Sequence, residues 1–135
     1  MLLTGGVLWA IAQFLHPDVS SLEGAKAAAG VLWAPVHWAY LVADVLMIAG
    51  SIIFSRYLEA GANGGWGAVA LAGGVTGFAL DAATTGMHLF SFPPVMPADA
   101  TNLQAVFDTT TAVNAGIGGA FWFPACLGVG SVASC

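Results

Sequence analysis

The chain has 135 residues, of which 59% are hydrophobic and 7% charged, with two basic side chains and a net charge of −5. A soluble domain carries roughly one-quarter charged residues, so this composition indicates a membrane protein. It argues against a nucleic-acid-binding protein, because no basic patch is available to neutralise phosphates.

Clusters of proline, glycine and charged residues divide the chain into four apolar stretches. Crossing the hydrocarbon core of about 30 Å takes about 20 mostly apolar residues in a helix. The predicted spans cover residues 1–15, 31–57, 66–90 and 103–135. The expected fold class is all-α, an integral membrane four-helix bundle with up-down-up-down topology and one domain.

The first span ends at His16, where the loop "HPDVSSLEGAKAAAG" begins. A signal peptide would need a basic segment before its apolar run, and none is present there. We therefore interpret residues 1–15 as a short span or as a span without its N-terminal flank. At the other end, the apolar run continues to Cys135 without a polar tail, which leaves a complete chain and a fragment of a longer chain as alternatives.

Polar residues recur along one face of the second and the third spans. Positions three or four apart share a face of a helix, which aligns His37 with Asp44 in the second span and Asp81 with His88 in the third. Because the spans are antiparallel, both aspartates fall near mid-depth. A charge facing lipid costs several kcal/mol on the order of the insertion scales, so Asp81 and His88 are expected to face the bundle interior.

A break is predicted after Phe90, because "SFPPVMPADATN" contains three prolines that disfavour a continuous helix. Thr101 followed by Gln104 forms a capping-box pattern that starts the fourth span near Leu103. This span carries Asp108. We call the predicted interior polar residues the polar seam: Asp44, Asp81, Thr84, Thr85 and Asn114.

All three histidines of the chain are expected at one depth, in the outer third of the bundle. Imidazole and carboxylate groups ligate transition metals, and a histidine pair on facing helices suits haem. The sequence therefore gives a candidate metal site of His16, His37, His88 and Asp108, and a candidate haem-binding pair, His37 and His88. The competing interpretation is that these are structural or interfacial side chains, because no spaced signature such as HExxH is present.

Three functions follow as alternatives from these patterns. The first is a structural or accessory subunit of a larger membrane complex, such as an energy-converting one. The second is a redox protein that uses the haem or metal site, and the third is proton or ion translocation through Asp44 and Asp81. No motif of a catalytic domain is present, so an enzyme acting on its own is not expected. The expected partners are the lipid bilayer and other membrane subunits or further copies of this chain.

Orientation is predicted from the two basic residues. Arg56 ends the second span, and Lys and Arg favour the cytoplasmic side. This places the hairpin between the second and third spans, together with both termini, in the cytoplasm. The expected location is the inner, cytoplasmic membrane of a bacterium.

Overall fold

The computed structural model describes residues 1–16, 21–28, 32–61, 64–95, 103–105, 107–109, 111–113, 115 and 116. Nearly all of these residues are helical, and none of them lies in a β-strand. The helices are α1 (Leu2–Leu15), α2 (Leu22–Ala28), α3 (Trp33–Glu59) and α4 (Gly64–Val95). The prediction of an all-α chain is confirmed for this part of the sequence.

Helix α1 ends where predicted, and the loop after it contains a helix that was not predicted. His16 adopts extended backbone angles, as expected for a residue that precedes a proline. In α2, the Ser21 hydroxyl accepts a hydrogen bond from the Gly24 N–H at 3.1 Å, and Lys26 pairs with Glu23 at 3.1 Å. A serine cap and an ion pair three residues apart are local helix signals that the loop assignment overlooked.

Helices α3 and α4 correspond to the second and third predicted spans. Both are long and apolar enough to cross a membrane, over Trp33–Ala60 and Gly65–Phe90. Helix α4 continues to Val95, five residues beyond the predicted end at Phe90. Proline has a fixed φ of about −65°, which is itself helical, so the prolines before Val95 remove hydrogen bonds only in the last turns of the helix.

The predicted fourth span is described only in part. Residues 103–105, 107–109, 111–113, 115 and 116 are helical, and the Leu103 side chain is buried. Asn114 and residues 117–135 lie outside the described residues.

Helix α3 packs against both α1 and α4, and glycine allows close approach at each contact. A Cβ atom added to Gly50 of α3 would lie 2.7 Å from Leu2 Cγ of α1. A Cβ atom added to Gly74 of α4 would lie 2.7 Å from Ser51 Cβ of α3. Backbones in such contact are typical of helices that associate through small residues.

Candidate functional site: a buried polar site

The polar residues of α3 and α4 occupy matching depths in the bundle. His37 precedes Asp44 by about two helical turns in α3, and Asp81 precedes His88 by the same interval in α4. Because α3 and α4 run in opposite directions, the two histidines lie at one level and the two aspartates at the next. Helical spacing therefore gives the site two layers.

The outer layer is a cluster of imidazole rings, which we call the histidine cluster: His16, His37 and His88. The ring centroid of His37 lies 5.2 Å from that of His16 and 5.7 Å from that of His88. The His37 side chain is buried, and its Nδ1 lies 2.8 Å from the carbonyl oxygen of Trp33. Since a carbonyl only accepts, Nδ1 donates this bond and the ring is held against its own helix.

Trp33 packs beside the histidine cluster. Its ring centroid lies 4.1 Å from that of His37, and its Nε1 donates to the carbonyl oxygen of His88 at 3.2 Å. The Trp33 side chain is buried. One tryptophan thus ties the start of α3 to the end of α4 and fixes two members of the histidine cluster.

The inner layer is a pair of carboxyl groups, Asp44 and Asp81. Asp44 is 0% exposed, and neither of its oxygens has a hydrogen-bond donor among the described residues. The carboxyl of Asp81 lies close enough to interact with it electrostatically, and so does the hydroxyl of Tyr40. Asp81 Oδ2 also accepts a hydrogen bond from Trp9 Nε1 of α1 at 3.0 Å. Two ionised carboxylates can only accept, so a hydrogen bond between Asp44 and Asp81 requires that they share a proton.

The two basic residues of the chain do not neutralise this pair. Lys26 is bound to Glu23 on α2, and Arg56 lies exposed in the last turn of α3, about three helical turns beyond Asp44. An uncompensated charge in a low-dielectric interior is costly. The carboxyl pair therefore needs a proton or a bound cation.

A cavity of about 170 Å³ joins the two layers. It is lined by residues of α1, α3 and α4 together with His16: Trp9, Gln13, His16, His37, Tyr40, Asp81, Thr84, Thr85 and His88. The hydroxyl of Tyr40 donates to Gln13 Oε1 at 2.8 Å across the α1–α3 contact. The lining is polar and the volume is large enough for several water molecules.

The structure brings together most of the residues predicted for the polar seam and the metal site. Asp81 and His88 face α1 and α3, the orientation expected for them, and the hydroxyl of Thr84 donates to the carbonyl oxygen of Leu80 at 2.9 Å. Asp108 does not join them. It is exposed and accepts a hydrogen bond from Gln104 at 2.8 Å.

The geometry favours neither of the predicted cofactors. Among the described residues, no group of three or more His, Cys, Asp or Glu side chains is arranged to hold a metal ion. The cavity of about 170 Å³ is also smaller than the roughly 300–1,000 Å³ of usual ligand pockets, and haem is a large ligand. The metal and haem sites remain hypotheses.

Two residues of α1 belong to the site but were not predicted to do so. Trp9 donates a hydrogen bond to Asp81, and Gln13 accepts one from the hydroxyl of Tyr40. Trp9, Gln13 and His16 are spaced by four and three residues, which places them on one helix face. The same spacing rule that selected polar residues in the longer spans could have found them.

Comparison with known proteins returned no relative. No family model, no curated protein and no solved structure matches the chain. The function therefore has to be inferred from the chemistry of the buried polar site.

Proposed function

We propose that this is a multi-pass membrane protein whose helical bundle carries a buried proton-binding site at Asp44 and Asp81. In this proposal α1, α3, α4 and the fourth predicted span form an up-down-up-down bundle. The proposal combines two inferences: the bundle is surrounded by lipid, and the buried carboxyl pair binds a proton.

The distribution of polarity supports a lipid environment. Large apolar side chains point outward on α1, where Leu3 is 81% and Phe14 is 91% exposed, and Val45 is exposed midway along α3. The interior holds the polar side chains: His37, Asp44, Ser51, Ser55 and Thr85 are all buried. A soluble protein rarely exposes extended apolar faces, whereas lipid favours an apolar exterior around polar groups that bind one another.

The observation that carries the proton-binding proposal is the enclosed carboxyl of Asp44. It has no exposed surface, and the group that it meets is a second carboxyl. Two neighbouring like charges in a low-dielectric interior repel strongly, while one proton bound by the pair removes a charge.

A bound cation is the competing way to neutralise the pair. The structure favours a proton, because Asp81 Oδ2 already accepts a hydrogen bond from Trp9 and a metal or sodium ion would need several further oxygen ligands around it. A proton needs only the two carboxyl oxygens.

Infrared spectroscopy of the purified protein tests the proposal. A protonated carboxylic acid has a carbonyl stretching band that an ionised carboxylate lacks. At neutral pH we expect this band in the parent protein and its loss in Asp44→Asn, because asparagine keeps the shape but cannot carry the acid proton, and the Asp81 carboxylate that remains accepts a hydrogen bond from Trp9. Asp108→Asn is the matched control, since Asp108 is exposed, and should keep the band. A parent spectrum without the band would refute the proposal.

We also propose that the protein acts as an accessory subunit of a larger membrane complex. The observation that favours this role is the outward face of α1, where the apolar side chains of Leu3 and Phe14 are 81% and 91% exposed and can pack against a helix of a neighbouring subunit. Purification in mild detergent tests the role, and a stable monomer without partners across a range of concentrations would count against it.

A further inference from the structure

We infer that protons reach the Asp44–Asp81 pair from the histidine end of the bundle alone, so that the site is a one-ended proton well and not a channel. This inference rests on the proposed proton-binding function. It follows from the contrast between a polar cavity on one side of the carboxyl pair and tight apolar packing on the other.

One cavity extends along the histidine side of the carboxyl pair. The cavity lined by His16 at the outer end reaches Asp81 at the inner end, and its volume accommodates several water molecules. The titratable groups that face this route are His16 after α1, His37 and Tyr40 from α3, and His88 from α4. Each element around the cavity thus contributes a polar side chain that can hydrogen-bond to water in the cavity.

The opposite side of the carboxyl pair is apolar. One turn beyond Asp44, Met47 and Ile48 of α3 pack with Phe78 and Leu80 of α4 in a single cluster. These side chains carry no group that exchanges protons. A proton that continued in this direction would have to cross them without a hydrogen-bond partner.

Beyond this cluster α3 is in close contact with both α1 and α4, and the cavity that lies between α1 and α3 on this side is lined mainly by apolar side chains, such as Leu2 and Ile53. A Cβ atom added to Gly5 of α1 would lie 2.9 Å from Met47 Cγ, and one added to Gly67 of α4 would lie 2.8 Å from the carbonyl oxygen of Ser55. The two buried serines in this region do not extend the polar route, because Ser51 donates to Met47 O and Ser55 to Ile52 O, each at 2.8 Å within α3. In α1, α3 and α4, the contacts on this side therefore form a seal.

The chemical step at the end of the route is a simple transfer. A proton from water at the histidine end joins one carboxylate oxygen, the pair loses one negative charge, and the proton returns by the same route when it is released. No other bond changes. The isolated bundle therefore binds and releases protons without carrying a steady current across the membrane.

Thiol accessibility in sealed vesicles tests the direction of access. Thr85 is buried and lines the cavity, so Thr85→Cys places a small thiol in the route. Ser21→Cys and Ala60→Cys, both at exposed positions at opposite ends of the bundle, mark the two sides. The native Cys126 and Cys135 are replaced by alanine in all variants. Silver ions are added to one side, and the thiols that remain are then labelled with maleimide in detergent.

We expect silver ions to protect Thr85→Cys when they are added on the side that protects Ser21→Cys, with loss of later maleimide labelling. Silver ions added on the side that protects Ala60→Cys should leave Thr85→Cys fully labelled. Protection from the Ala60 side, or from neither side, would overturn the inference. The infrared test of Asp44 is independent of this result, so loss of the proton site and access from the wrong end are distinguishable.

Discussion

The contact between Gly74 and Ser51 predicts a measurable cost for a single added methyl group. A Cβ atom at position 74 would lie 2.7 Å from Ser51 Cβ and still closer to its hydroxyl oxygen. Both atoms belong to a short, stiff side chain at a helix contact, so α3 and α4 must separate. We therefore expect Gly74→Ala to destabilise the bundle.

The magnitude follows from comparison with a glycine of the same helix. A Cβ atom at Gly86 would meet nothing within 4 Å. Alanine is favoured over glycine in a helix by about 1 kcal/mol, and Gly86→Ala should therefore stabilise the protein by up to about that amount. Overpacking costs about 1–3 kcal/mol. The gain in helix propensity from glycine to alanine is the same in both variants. Gly74→Ala should therefore be less stable than Gly86→Ala by about 1–3 kcal/mol, the cost of overpacking.

Reversible unfolding in detergent micelles, followed by circular dichroism, measures this difference. A swap provides the decisive control: Ser51→Gly combined with Gly74→Ala moves the small residue from α4 to α3 and should recover most of the lost stability. If Gly74→Ala were as stable as Gly86→Ala, the close contact between α3 and α4 described here would be wrong.

Three further outcomes are expected. Trp9→Phe removes the donor to Asp81 and should lower the unfolding free energy by about 1–3 kcal/mol. Trp66→Phe, at an exposed position, should change it by less than about 0.5 kcal/mol, and equal effects of the two substitutions would contradict the buried hydrogen bond. Val45→Lys places a charge on the outward face of α3 and should weaken membrane insertion by about 2.5–3.5 kcal/mol, and unchanged insertion in a translocon assay would show that this face does not meet lipid. Optical spectra and elemental analysis of protein from cells supplied with haem and metals should show no stoichiometric cofactor, and a bound haem or metal at the histidine cluster would replace the proton-binding proposal.

Helix positions were predictable because the physical signals for them are local. The end of α1 follows from the proline after His16, and the apolar lengths of α3 and α4 follow from the cost of exposing polar groups to hydrocarbon. The two errors in predicted helix positions also arose from local signals. Helix α2 was missed because its serine cap was not considered, and the end of α4 was placed too early because prolines in a last turn were assumed to stop the helix before them.

The chemistry of the site was predictable in part. The equal intervals from His37 to Asp44 and from Asp81 to His88 were visible in the sequence, and antiparallel packing then implies two matched layers. The interval gives depth along a helix but not rotation about its axis. Asp108 shows the difference, because it was assigned to the metal site with the histidines but lies exposed and bonded to Gln104.

Composition and spacing by themselves therefore determined that the chain is helical and apolar and that its few ionisable groups recur on single helix faces. Helix formation and the face on which a side chain lies depend on residues that are close in the sequence. Only the tertiary structure decided that Asp44 meets Asp81, that Trp9 of α1 donates to the pair, and that the cavity lies on the histidine side while Met47 and its neighbours close the other. These contacts join residues distant in sequence, and they depend on how far each helix is rotated and how closely glycine allows the backbones to approach.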